Sequence, residues 1–219
     1  MQAIVEFYNS SVGKKLIVAL TGIFLISFLV IHLFGNLLLL RNDAGKAFDA
    51  YADVLPQVVI IRIIEIGLFL ILLLHIITGA YTWYLNKKAR GNAAYDLQKK
   101  TETSALSSRT MLFSGSIVYI FLVMHMRQFW YTSRYAAGEH FSMYEIVRST
   151  LSDPIYSIFY LVAMFFLGFH LKHGFQSAFQ TFGLRDKKYA TLIEWVGAIM
   201  WLCMPIAFAV MPLYFLLNL

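Results

Sequence analysis

Imidazole has no ordinary use inside lipid-like sequence, yet His32, His75, His125 and the pair His170 and His173 all lie within long apolar stretches of this chain. An ionisable side chain in such a place is costly and marks a functional site by default. Three kinds of work are open to it: holding a metal, relaying protons, or packing with a hydrogen bond. The remaining histidine, His140, falls in a polar connection and reads as solvated.

The stretches that carry these histidines follow from composition. With 59% hydrophobic, 16% aromatic and 14% charged residues over 219 positions, and a mean hydropathy of +0.66, the chain is too apolar for an ordinary soluble domain. Bilayer crossings need about 20 apolar residues. Five such windows fall at about 16–40, 59–85, 111–132, 155–181 and 190–217, which predicts an all-α integral membrane protein: one membrane domain over 1–219, folded as a five-helix bundle. The first window is too long for a signal h-region and lacks an A-x-A-like cleavage site, so it reads as a retained span. Pro56 and Pro154 stand where proline suits a helix start. Pro205 and Pro212 fall inside the fifth window and predict a kink.

Lys and Arg gather at the window ends, so the net charge of +6 reflects orientation and implies no nucleic-acid partner. One side collects Lys14, Lys15, Lys87, Lys88, Arg90, Lys99, Lys100, Arg109, Arg185, Lys187 and Lys188; the other only Arg41, Lys46, Arg127, Arg134 and Arg148. The excess belongs in the cytoplasm, which predicts the N-terminus inside and the C-terminus outside.

Depth is the informative property of the histidines. At 1.5 Å per residue, His32, His75, His125 and His170 each lie about two to four residues past the middle of their windows. Because successive helices run in opposite directions, the offset alternates: His32 and His125 fall on the outer side of the midplane, His75 and His170 on the inner side, roughly 10 Å apart in depth. Two bis-histidine haems stacked across a membrane require this arrangement, each iron taking ligands from different helices. Cys203 is the one cysteine and no C-x-x-C-H occurs, so any haem is held non-covalently. A histidine proton relay is the rival reading, and a di-iron site would need more ligands at one level.

Helix faces agree with the depths. Residues at i+3, i+4 and i+7 share a face with residue i. After His75 these are Thr78, Gly79 and Thr82; after His170 they are His173, Gly174 and Ser177. A glycine one turn from the ligand admits a flat macrocycle, and the polar residues beyond lead toward water, where propionates would sit. His173 is then a propionate partner and His170 the ligand. Arg127 would either pair with an outer-haem propionate or anchor at the interface. Arg62 and Glu65, an i, i+3 pair, either neutralise one another or line a quinone site near the outer haem. Lys172 is about 200° from His170 round the helix and reads as a snorkelling lysine.

The histidine in each of the first four spans, the charged connection between the second and third, and the segment FHLKHGFQSAFQTFG resemble the cytochrome b membrane anchors of succinate:quinone oxidoreductases. The type is the single-chain, five-helix, two-haem one also found in quinol:fumarate reductases, and the resemblance covers nearly the whole chain. It implies a multi-pass subunit of the cytoplasmic (inner) membrane that binds two haems b. His32 and His125 would ligate the distal one, His75 and His170 the proximal one. It implies partners on the cytoplasmic face, a flavoprotein with FAD and an iron–sulfur subunit, and a lipid-borne quinone, menaquinone being favoured by the two-haem type. Electrons would pass between the iron–sulfur subunit and quinone, with the dicarboxylate chemistry on the flavoprotein. Quinone is handled near the distal haem in this type, which makes Asn36, Asp49, Asp53, Arg62, Glu65 and Gln128 candidates for its site. Members credited with compensating proton movement carry Glu two residues before the fourth ligand; here that position is Gly168. The alternatives are a cytochrome b subunit of another quinone-linked dehydrogenase, such as nitrate reductase, where two helices carry two histidines each, or a proton-coupled transporter.

Overall fold

Helix starts are written into the chain as side-chain caps. In the computed structural model, which describes residues 2–90, 111–136, 141–184 and 189–217, Ser10 accepts the Gly13 N–H and opens the first span at Ser11. Asp153 accepts the N–H groups of Ile155 and Tyr156, with Pro154 as the first helical residue of the fourth. Five helices are long and apolar enough to cross a membrane: Ser11–Leu40, Val59–Ala89, Met111–Ala136, Pro154–Thr181 and Ala190–Leu216. No strand occurs among the described residues. His140 and the basic residues Lys99, Lys100, Arg109, Arg185, Lys187 and Lys188 lie outside the described residues.

The fourth span is the hub. It packs against the first, third and fifth, while the second leans on the first. Its buried face, which includes Ala163, Met164, Leu167, Leu171 and Phe175, forms a core with Ile26 and Met204. The second span is the most lipid-exposed, with Ile60, Ile63, Ile66, Leu70 and Leu73 on the surface, as expected of a helix whose solvent is hydrocarbon. Neither the second and fourth spans nor the first and third are a closely packed pair among the described residues. Those are the two diagonals that the histidine pairs must bridge.

Two helices depart from α geometry. The third span widens into a π-helix over Met126–Ala136, directly after His125. The fifth has a π turn at Ile199–Cys203, just ahead of Pro205. Proline has no N–H to return to the carbonyl four residues back, here Trp201, and a π turn is one way for a helix to absorb that loss. Pro56 sits in a 3-10 turn, Leu55–Gln57, that leads into the second span.

A cap covers the end of the bundle remote from residue 11. Two short helices, Lys46–Val54 and Met143–Leu151, pack on each other there. Asp49 ties them together: its carboxylate accepts the Ser142 hydroxyl and the Tyr144 N–H, both at 2.7 Å. Gly45 turns into the first of these helices with φ +82°, and the Tyr144 ring lies where any Cβ would be. Beneath them Leu39, Phe48, Phe129, Val147, Leu151 and Phe215 close an apolar core.

Candidate functional site

Four spans deliver four imidazoles to two places. His32 of the first span faces His125 of the third, ring centroids 5.8 Å apart and planes at 84°. His75 of the second faces His170 of the fourth, at 6.4 Å and 77°. Metal–imidazole bonds of about 2 Å on opposite faces of one iron put ring centres roughly 6 Å apart. Both pairs therefore stand at a spacing that two imidazoles holding one iron would need.

The two levels lie farther apart than span midpoints suggest. Thr21 of the first span is level with His75, and Tyr160 of the fourth with His125, since each hydroxyl touches that histidine. From Thr21 to His32, and from Tyr160 to His170, the helix rise is roughly 15–16 Å. The 10 Å expectation treated every span as centred on one plane; the first span instead begins at Ser11, ahead of its apolar window.

At the His75–His170 level, neighbouring helices come close through glycine. A Cβ at Gly22 would lie 3.3 Å from His75 Cε1, and one at Gly115 would lie 3.5 Å from His170 Cε1. Thr21 Oγ1 lies 3.0 Å from His75 Nδ1 while also bonding to the Ile17 carbonyl at 2.7 Å. His170 Nδ1 is buried with no hydrogen-bond partner among the described residues. Gly79 and Gly174, one turn beyond the histidines, face open space. Thr78 is fully buried, 3.5 Å from the Tyr8 hydroxyl. His173 is half-buried, and Ser177 lines a 320 Å³ pocket with Val12, Lys15, Gln180 and Thr181.

At the His32–His125 level, aromatic rings lie against the imidazoles. Phe28 stacks on His32 at 5.3 Å, while Phe121 and Phe129 lie 5.5 and 5.1 Å from His125. Tyr160, from the fourth span, brings its hydroxyl to 3.3 Å from His125 Nδ1. Asn36 donates to the His32 carbonyl at 2.8 Å and has its amide 3.4 Å from His32 Nε2.

The remaining candidates are dispersed. Asp49 is taken up in the cap, Gln128 donates to Thr150 at 2.9 Å, and Asp53 is exposed. Arg62 and Glu65 pair at 3.2 Å, but Glu65 also meets Arg134 at 3.2 Å and accepts the Trp130 indole N–H, which ties the second span to the third. Arg127 is exposed. The Lys172 ammonium sits 4.4 Å over the Trp201 ring.

Haem suits these residues. The donors are imidazoles in opposed pairs on diagonal helices, one of them keeps a buried, unpartnered nitrogen, and glycines leave room beside the second and fourth spans. No three His, Cys, Asp or Glu side chains gather into a metal-binding group among the described residues. A bis-imidazole iron draws its other four ligands from the macrocycle, so pairs are sufficient.

Sequence reasoning missed Thr21, Tyr160, Gly22 and Gly115. The faint signal was position: each stands ten or eleven residues, close to three turns, before a histidine on its own helix.

A multi-pass membrane bundle with two facing histidine pairs at two depths is the class of protein defined so far. Among curated proteins, the chain is similar to the succinate dehydrogenase cytochrome b558 subunit of Bacillus subtilis (strain 168). The two are 27% identical over 205 residues, which span 88% of this chain and 91% of that protein. No family model matches, and no solved structure matches. The resemblance read from the sequence, to the cytochrome b anchors of succinate dehydrogenase, thus rests on a relative aligned along nearly its whole length.

Proposed function

We propose that this chain is the dihaem cytochrome b anchor of a succinate:quinone oxidoreductase and carries electrons between an iron–sulfur subunit and membrane quinone. The observation that carries this reading is the facing of His75 with His170 and of His32 with His125. His75 and His170 would hold one haem b, and His32 and His125 the other. Bound there, haem supplies one-electron chemistry within a bilayer that otherwise insulates.

The chain's own residues supply binding, orientation and exclusion of water. Four imidazoles on four helices fix depth, Gly79 and Gly174 leave room beside the second and fourth spans, and Phe28, Phe121 and Phe129 keep the other level apolar. The end that begins at Ser11 is assigned to the cytoplasm, where a flavoprotein with FAD and an iron–sulfur subunit would dock. Quinone, menaquinone in the two-haem type, would meet the capped end, near Asn36 and the cluster of Arg62, Glu65, Trp130 and Arg134. Succinate oxidation or fumarate reduction would belong to the flavoprotein.

A reduced-minus-oxidised spectrum of the purified complex tests the reading. Two b-type haems per chain are expected, with a flavoprotein and an iron–sulfur protein copurifying; absence of a b-type α-band overturns it.

A further inference from the structure

Two hydroxyls stand in an unusual relation to the histidine pairs. Thr21 belongs to the first span, which carries a histidine of the capped level, yet its oxygen lies 3.0 Å from His75 at the opposite level. Tyr160 belongs to the fourth span, which carries a histidine of the Ser11-end level, yet its oxygen lies 3.3 Å from His125 at the capped one. Each hydroxyl therefore comes from a helix that gives no histidine to the pair it touches. In both cases the atom it meets is Nδ1.

On the haem reading each histidine ligates through Nε2, which assigns the proton of each contact to Nδ1. Thr21 has one hydroxyl proton, and the Ile17 carbonyl at 2.7 Å is its nearest acceptor, so the Thr21 oxygen is free to accept from His75 Nδ1–H, beside a backbone hydrogen bond that the same imidazole makes with Val18. A histidine that ligates through Nε2 carries its proton on Nδ1, and for His125 that proton faces the Tyr160 oxygen. Tyr160 is 7% exposed, so bulk water does not compete for this contact. His170, by contrast, has a buried Nδ1 with no partner among the described residues.

We infer that Thr21 and Tyr160 are positioning residues, one for each haem, that fix the tautomer and ring orientation of His75 and His125 and lower the reduction potential of the iron each binds. This rests on the haem reading above. An oxygen that accepts Nδ1–H makes the imidazole a stronger donor through Nε2, and a stronger donor favours ferric over ferrous iron. Each haem thereby has one tuned ligand, supplied by a helix whose own histidine serves the other haem.

Redox titration of the purified complex followed through the haem α-bands tests this, with the two waves assigned by their loss in His75→Leu and His125→Leu. Thr21→Val should raise the potential of the His75–His170 haem alone, shifting its reduction equilibrium by up to about tenfold, or about 59 mV for one electron. Thr21→Ser should restore the original value, and Tyr160→Phe should raise the other wave alone. Unshifted waves in Thr21→Val and Tyr160→Phe, with both haems retained, overturn the inference, as does a Thr21→Ser shift equal to that of valine. If Thr21→Val does not assemble, Tyr160→Phe decides. A wild-type complex without two b-type haems refutes the underlying reading instead.

Discussion

The two histidine levels use the same side chain and nearly the same spacing, yet their surroundings differ. At His75 and His170 the neighbouring helices present glycine, Gly22 and Gly115, and backbone comes close to the imidazoles. At His32 and His125 the neighbours are Phe28, Phe121, Phe129 and Tyr160, and the site is walled by rings beneath a two-helix cap. A ligand pair can be held at a set distance either by removing side chains around it or by filling the space with rigid ones. The first choice goes with open space one turn beyond, at Gly79 and Gly174; the second sets aromatic rings directly against the imidazoles.

The largest test of this contrast removes a histidine. His75→Leu should eliminate one haem and leave the other, which halves the b-type absorbance; His125→Leu should do the converse. Loss of both haems from either variant would mean that the levels do not form independently.

A smaller effect is expected where glycine does the positioning. At Gly115 alanine would make ordinary contact with His170, whereas the branched arms of valine would press on the ring. Gly115→Ala should retain both haems, and Gly115→Val should lose or broaden the His75–His170 signal only. Gly67, whose Cβ position is empty, serves as the control: Gly67→Ala should change neither haem.

The smallest effect concerns the cap. Asp49→Ala removes two charge-assisted hydrogen bonds at a half-buried site and should cost about 1–2 kcal/mol. A lowered melting temperature would check this, together with faster proteolysis at the capped end and an unchanged His75–His170 spectrum.

Much of this was legible in the chain because a membrane restricts what a sequence can mean. Hydrocarbon demands long apolar helices, and a histidine within one advertises itself; depth alone groups His32 with His125 and His75 with His170. Contacts between helices were not legible. Thr21 meets His75, and Tyr160 meets His125, across separations of 54 and 35 residues, and no local pattern announces such meetings. Arg62 and Glu65 stood out as an i, i+3 pair, but Arg134 and Trp130 reached the same carboxylate from another helix, along a π-helical stretch that shifts the register of the faces. The cap helices were equally hidden, since a nine-residue amphipathic segment is too short to register as a span.

The π turn before Pro205 also bears on how this chain can change over generations. Its neighbour on the fourth span is Gly168, where an added Cβ would lie 3.1 Å from the Trp201 carbonyl oxygen and 3.9 Å from Pro205 Cγ. Backbone cannot swing aside as a side chain can. A Cβ at 168 would thus ask the fifth helix to give by a few tenths of an ångström at the Trp201 carbonyl, and the longer arm of Glu would need further room beside it. The π turn and the glycine are matched in this way, so that a change at one asks for an adjustment at the other.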